Sequence, residues 1–217
     1  MRKRFTVWLL MTVGVSAFVC LLSGRWADPW LWTYCAIWIA TVTYGLTGIG
    51  DDLARERFQG TVKGEDAVAL RFVRLFGFAH LAVGALDVGR WHLAPVPAAL
   101  RGAALAGMAF ALVLVYRSMR ENRFFSAVVR VQTDRGHSVV DTGPYSIVRH
   151  PGYAGMIAGV PLSGLALGSW LSFGLALIYS MLILRRVLFE DAFLCRNLAG
   201  YPAYTRRVTG RLIPGTW

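Results

Sequence analysis

Two polar segments of the sequence carry residues whose types and spacing could support chemistry. One is Gly143-Pro-Tyr-Ser-Ile-Val-Arg-His-Pro-Gly-Tyr-Ala-Gly155, and the other begins Arg185-Arg-Val-Leu-Phe-Glu190-Asp191. Proline disfavours helical geometry in the residue before it, so Pro151 should hold His150 extended at a helix start. The free N–H groups of such a start favour a carboxylate or a phosphate. Arg186 and Glu190 are four residues apart and share one helix face, either as a simple ion pair or as reactive groups.

The elements that must position these residues are apolar. Of 217 residues, 56% are hydrophobic and 16% are charged, and the mean hydropathy is +0.49. In ordinary soluble domains roughly half of the residues are hydrophobic and roughly a quarter are charged. The composition therefore indicates a membrane-embedded protein. The formal charge of +11 would suit nucleic acid or a membrane surface. Because the arginine clusters adjoin apolar runs, membrane orientation explains the charge better, and we expect no nucleic-acid partner.

Five apolar runs cover residues 5–22, 29–50, 72–89, 97–116 and 154–184. The first follows basic residues as a signal peptide would, but it exceeds the roughly 7 to 15 apolar residues of a signal sequence, so we interpret it as a retained span. The last would be about 46 Å long as one helix, against a hydrocarbon core of about 30 Å. Gly164 and Gly168 interrupt it midway. We therefore predict an all-α polytopic membrane protein with four spanning helices and a C-terminal transmembrane hairpin.

The arginine distribution predicts the orientation of these helices. Residues 117–149 and 185–217 each contain six arginines, whereas the segments expected outside contain three in all. By the positive-inside rule both clusters, and both termini, should be cytoplasmic, which a single straight span over 154–184 would not allow. We expect one integrated domain: membrane helices over 1–116 with a cytoplasmic loop at 51–71, and a catalytic region over 117–217. The expected location is a bacterial inner membrane.

Other residues that often bind metals or ligands have simpler interpretations. Cys20, Cys35 and Cys195 lack the C-x-x-C spacing, so we expect neither a disulfide framework nor a zinc site, and no metal. His80 lies near the middle of the third apolar run. An ionisable residue at that depth is a functional candidate, and the alternatives are a hydrogen bond between packed helices or a ligand role.

Taken together, the two polar segments resemble the isoprenylcysteine carboxyl methyltransferase family and, more loosely, the phospholipid methyltransferases. The resemblance covers about residues 122–214 and depends on the order of the Arg-His-Pro segment, the apolar hairpin, the Glu190-Asp191 pair and the Tyr201-Pro-Ala-Tyr204 segment. It implies that S-adenosylmethionine is held between the Arg-His-Pro segment and the C-terminal tail, on the cytoplasmic face. It also implies a lipophilic methyl acceptor that arrives laterally from among the membrane lipids.

The resemblance also implies roles for individual residues. Arg186 would lie near the acceptor, and Glu190 beside the cofactor and the reacting centre. Many relatives have two successive glutamates where this chain has Glu190-Asp191, which leaves the role of Asp191 open. The residues implied in cofactor binding are His137, Gly143, Tyr145, His150, Pro151, Tyr153, Glu190, Tyr201 and Tyr204.

Methyl transfer from a sulfonium depends mainly on alignment and electrostatics. An acceptor carboxylate is already ionised and could pair with the planar fork of Arg186. An amine or thiol must lose a proton, which makes Glu190 or His150 a candidate base.

Two other functions stay open. A nicotinamide-dependent reductase of the sterol-reductase type would have Asn where this chain has Gly152, and a small transporter or scaffold would place polar residues at the midplane of several helices.

Overall fold

The structure, a computed structural model, describes residues 2–59, 67–93 and 95–216. Within these ranges the protein is helical and forms no β-strand, which confirms the all-α prediction. A π-helical segment, Asp87–Trp91, extends the fourth helix. The α-helices are α1 (Arg2–Ser23), α2 (Pro29–Leu46), α3 (Asp51–Gln59), α4 (Ala67–Leu86), α5 (Ala98–Glu121), α6 (Pro151–Leu167), α7 (Trp170–Asn197) and α8 (Tyr201–Arg207).

Among the described residues, four helices are long and apolar enough to cross a membrane. They are α1, α4 with its π-helical extension, α5 and α7. The second apolar run forms α2, which is not one of the four. α6 is a shorter apolar helix. The helical bundle therefore has the membrane character that the composition indicates.

The last apolar run forms the predicted hairpin, with α6 and α7 as its arms. α6 ends at Gly168, whose φ of 103° is strained for a residue with a Cβ. Ser169 then caps α7 by accepting a hydrogen bond from the Ser172 N–H at 3.1 Å. The Gly168 carbonyl accepts from the Val96 N–H, which fixes the turn against the segment before α5. α7 runs well beyond the predicted end of the hairpin and includes Glu190.

Small residues let α5 and α6 pack closely. A Cβ added to Gly155 would lie 2.7 Å from the Ala111 carbonyl oxygen and 2.7 Å from Val115 Cγ2. A Cβ on Gly159 would lie 3.1 Å from the Ala111 methyl group. Such close backbone approach is how helices associate in lipid, where there is little hydrophobic driving force between them. It fixes the start of α6 relative to α5.

His80 makes the interhelical hydrogen bond that was one of its two predicted roles. Its Nε2 lies 2.9 Å from Ser163 Oγ on α6, and the side chain is buried. Tyr34 Oη on α2 lies 3.2 Å from the same Ser163 oxygen. Polar side chains thus join three helices inside the bundle, where an unpaired polar group would be unfavourable.

Part of the segment 51–71, the predicted cytoplasmic loop, is helical. α3 occupies Asp51–Gln59, and α4 begins at Ala67. Asp51 and Asp52 lie in the first turn of α3, where the helix dipole favours negative charge. Leu53 is buried and clusters with Met119, so the short helix packs against α5. The part of the loop at 60–66 lies outside the described residues.

Candidate active site

A cavity of about 520 Å³ opens at the ends of α6 and α7 away from their turn, which we call the hairpin feet. One end of α5, the segment 122–140 and the C-terminal tail also surround it. The hairpin thus brings together the two polar segments that lie far apart in sequence. The predicted site residues that line the cavity are His137, Tyr145, His150, Tyr153, Arg186, Glu190, Tyr201 and Tyr204.

The Arg-His-Pro segment forms the start of α6. His150 is the N-cap residue, with φ of −129° and ψ of 59°, and Pro151 is the first helical residue. The His150 side chain makes no capping hydrogen bond. The N–H groups of the following residues, Gly152 and Tyr153, belong to the first turn, which has no acceptor within its own helix. Because Gly152 and Tyr153 line the cavity, the positive end of α6 faces the cavity.

Asp191 connects this segment to α7. Its carboxylate, buried in the protein, accepts hydrogen bonds from Arg149 at 2.9 and 3.0 Å and from Tyr201 Oη at 2.9 Å. Arg211 Nε donates to it at 2.8 Å, and His150 Nε2 lies 3.1 Å away. A buried carboxylate is tolerated only when it is paired and hydrogen-bonded in this way. The structure therefore gives Asp191 a role in holding the site together.

Backbone hydrogen bonds attach the C-terminal tail to the same segment. The Arg149 N–H donates to the Gly210 carbonyl at 3.0 Å, and the His150 N–H donates to the Arg211 carbonyl at 2.9 Å. The Arg149 guanidinium also donates to the carbonyls of Val208 and Thr209. These bonds hold the tail, whose Tyr201 and Tyr204 line the cavity, against the start of α6.

The two tyrosines of the tail are buried hydrogen-bond donors. Tyr204 Oη donates to the Tyr145 carbonyl at 2.7 Å. Burial raises the pKa of the Tyr204 hydroxyl above its ordinary value of 10.0. Burial also raises the pKa of Tyr201, and the negative charge of Asp191 adds to that shift. Both hydroxyls therefore stay protonated near neutral pH and keep their acceptors.

Tyr153 bridges the two predicted catalytic residues. Arg186 Nε donates to Tyr153 Oη at 2.8 Å, and Tyr153 Oη donates to Glu190 Oε2 at 2.6 Å. Arg186 also donates to the Ala127 carbonyl, which ties α7 to the segment 122–140. The side chains of Arg186 and Glu190 thus meet at one hydroxyl on the cavity wall.

His137 lies in the part of the cavity wall formed by the segment 122–140, with its ring centroid 4.4 Å from that of Phe124. Its Nδ1 accepts a hydrogen bond from the Gln132 N–H at 3.2 Å, so the neutral ring carries its proton on Nε2. Burial lowers the pKa of His137, although the charge of Glu190 partly opposes that shift. The ring is therefore favoured in its neutral form.

Two predicted cofactor residues lie beside the cavity and do not line it. Gly143 has φ of 54° in the turn before Tyr145, and a Cβ there would lie 2.9 Å from Glu121 Cδ. Pro151 is buried behind His150. The sequence reasoning missed Arg149 and Arg211, which hold Asp191. The sequence did contain a signal for these contacts. Asp191 had no assigned role, and both polar segments contain arginines that could pair with it.

The family comparison agrees with the region that builds the site. A comparison with curated proteins gives no significant match. Residues 100–199 contain most of α5, the Arg-His-Pro segment and both arms of the hairpin. This region matches the family model of phospholipid methyltransferase, a family related to the isoprenylcysteine carboxyl methyltransferases.

Proposed function

We propose that this protein is an integral membrane methyltransferase that transfers a methyl group from S-adenosylmethionine to a lipophilic acceptor, with its active site on the cytoplasmic face. The observation that carries the proposal is the continuity of one cavity. Its polar wall at the hairpin feet contains Arg186 and Glu190, and its apolar wall contains Trp8, Trp38 and Val73 from three other helices. A polar ligand and an apolar chain could therefore occupy the same space together.

The residues of the cavity fit S-adenosylmethionine. Its amino-acid part carries a carboxylate, which suits the positive end of α6 at Gly152 and Tyr153. Its ammonium and sulfonium groups are cationic, which suits the Glu190 carboxylate. When bound, it would supply an electrophilic methyl group. Glu190 and the first turn of α6 would thus hold the cofactor at the hairpin feet.

The chain's own residues would orient the acceptor and manage its charge. Arg186 presents a planar fork that can pair with an anionic acceptor. For an amine or thiol acceptor, Glu190 is the better candidate base. His150 is buried, and its Nε2 is already 3.1 Å from Asp191 and 3.4 Å from Tyr201 Oη. Glu190 is only half-buried and accepts from Tyr153 Oη through one of its two oxygens. His150 would instead position the start of α6.

The reductase alternative has less support. It would place Asn at position 152, where this chain has Gly. A Cβ at Gly152 would lie 2.4 Å from Phe125 Cε2, so a larger side chain would need Phe125 to move. The matched family is also one of methyltransferases. Both observations favour methyl transfer.

Methylation of whole membrane extracts would test the proposal. The purified chain is incubated with S-adenosylmethionine carrying an isotopically labelled methyl group and with membrane lipid and protein fractions, and mass spectrometry identifies the labelled species. Calorimetric titration with S-adenosylmethionine alone should give an affinity near the micromolar range, about −7 to −8 kcal/mol. Absence of both cofactor binding and labelled product would refute the proposal.

A further inference from the structure

Arg74 lines the cavity but has no role in the reaction proposed above. It lies on α4, one of the four candidate spanning helices, and its side chain is exposed at the cavity wall formed with Leu70 and Val73. A cation in that place would contact whatever molecule enters the cavity from the bilayer.

The cavity arginines differ in their partners. Arg130 is paired with Glu56 and Asp134, and Arg149 is paired with Asp191. Arg186 donates to Tyr153 and to the Ala127 carbonyl. Among the described residues, the guanidinium of Arg74 has no hydrogen bond or ion pair with the protein.

The packing of α4 on α7 gives the depth of Arg74. The two helices are antiparallel: a Cβ on Gly77 would lie 3.5 Å from the Tyr179 ring, and Val73 clusters with Ile183. Arg74 is therefore about level with residue 182. At 1.5 Å per residue, the Cα atoms of Arg186 and Glu190 lie about 6 and about 12 Å closer to the hairpin feet. Arg74 thus lies on the bilayer side of the reacting pair.

The surroundings of Arg74 make an unpaired charge unfavourable. Phe72, Leu75 and Phe78 on the same helix are exposed apolar side chains, as on a lipid-facing surface. An arginine among such residues needs either a counter-ion or access to water along its flexible stem. Its position in the cavity wall favours a counter-ion carried by the bound acceptor.

We propose that Arg74 forms a subsite for an anionic group of the acceptor. In the acceptor, this group would lie between the atom that receives the methyl group and the apolar chain. This inference rests on the proposed function. The anion could be a lipid phosphodiester or a carboxylate, since a guanidinium binds both through paired charge-assisted hydrogen bonds. Arg74 would then select acceptors that carry such a group.

Binding of short-chain probes to the purified full chain would test this subsite without methyl transfer. The probes are dihexanoyl phosphatidylethanolamine, which has a phosphate, N-dodecanoylglycine, which has a carboxylate alone, and dihexanoylglycerol, which has no charge. The variant is Arg74→Gln. The matched control is Arg71→Gln, because Arg71 is exposed on the same helix and does not line the cavity.

Wild type and Arg71→Gln should bind at least one of the two probes that carry a phosphate or a carboxylate about tenfold or more tightly than dihexanoylglycerol, and Arg74→Gln should lose that preference. The probe that shows the preference identifies phosphate or carboxylate as the anion. No preference in wild type, or equal preference in both variants, would overturn the proposal. Titration of all three proteins with S-adenosylmethionine should give equal affinities. Failure of the wild type to bind it would count against the proposed function, while the probe series would still decide the role of Arg74.

Discussion

Asp191 binds Arg149 through two parallel hydrogen bonds, one from Nε to Oδ1 at 2.9 Å and one from Nη2 to Oδ2 at 3.0 Å. Both side chains are buried, with exposed fractions of 5% and 6%. This pair connects the Arg-His-Pro segment with α7 across a sequence separation of 42 residues. The shape of the cavity at the hairpin feet therefore depends on a contact outside the two predicted catalytic residues.

Loss of the Asp191 charge should destabilise the protein strongly. Asp191→Asn would leave Arg149 buried without its counter-ion, and breaking a buried pair in this way costs about 3 to 5 kcal/mol. Thermal unfolding in detergent should show a large fall in apparent Tm. The matched control is Asp141→Asn, which removes a more exposed pair with Arg207 and should change stability by about 0 to 1 kcal/mol. Equal effects of the two substitutions would contradict the role given to Asp191.

The close approach of α5 and α6 predicts opposite effects for two glycine substitutions. Gly155→Ala would place a methyl group 2.7 Å from the Ala111 carbonyl oxygen, and such overpacking typically destabilises by about 1 to 3 kcal/mol. Gly174→Ala on α7 meets no atom within 4 Å and should be neutral or stabilise the helix by up to about 1 kcal/mol. Apparent Tm values in one detergent decide this. A stable Gly155→Ala protein would show that the two helices can separate at little cost.

Hydrophobic periodicity and charge predicted much of this fold. The apolar runs, the interruption at Gly164 and Gly168, and the arginine clusters together predicted the hairpin, because span length and helix-breaking residues are local properties. The helix α3 was not predicted, since most of its nine residues are polar. It packs on α5 through Leu53, a contact that the sequence pattern does not reveal.

The site was predicted less completely than the fold. The proline at the start of α6 and the spacing of Arg186 and Glu190 are local signals, and they identified residues that line one cavity. Asp191 accepts hydrogen bonds from Arg149, Tyr201 and Arg211, and only the tertiary structure brings these residues together. The bridging position of Tyr153 likewise requires α6 and α7 to be packed side by side.

Membrane orientation can be tested by labelling single cysteines in a background from which Cys20, Cys35 and Cys195 have been removed. We expect Thr6→Cys and Thr216→Cys to react from the same, cytoplasmic side, because the arginine clusters adjoin that face. An impermeant maleimide added to sealed inside-out and right-side-out vesicles makes the measurement. Reaction of Thr216→Cys only from the outside would exclude the proposed orientation of the hairpin.

His137 should make stability depend on pH. Burial lowers its pKa below the ordinary value of 6.5, so the folded chain binds fewer protons than the unfolded chain. This part of the stability is present above about pH 6.5 and is lost as the pH falls toward the lower folded pKa. His137→Asn, whose side-chain oxygen can still accept from the Gln132 N–H, should flatten the apparent Tm between pH 5 and 7 relative to wild type. His92→Asn, a change at an exposed histidine, is the control and should show the same dependence of Tm on pH as wild type. If His137→Asn also shows the wild-type dependence, His137 is not the source of the pH effect.

The Tyr153 bridge allows catalysis to be separated from packing at the reacting pair. Glu190→Gln keeps the shape of the side chain and its ability to accept from Tyr153 Oη, but it removes the charge that would face the cationic cofactor. Arg186→Lys keeps the charge but loses the planar fork. If these residues act on the reacting groups, each change should lower kcat/KM by about 100-fold, or about 2.7 kcal/mol of transition-state stabilisation. Apparent Tm should change by only a few degrees for Glu190→Gln.

The matched control for this pair is Arg185→Lys, because Arg185 is the neighbouring residue on α7 and is exposed. It should retain kcat/KM within about twofold. Cofactor affinity, measured by calorimetry, should fall more for Glu190→Gln than for Arg186→Lys, since the proposed partner of Arg186 is the acceptor. The contrary result is that Glu190→Gln and Arg186→Lys both retain the same kcat/KM as Arg185→Lys. That result would show that Arg186 and Glu190 have only a structural role and that the methyl group is transferred elsewhere in the cavity.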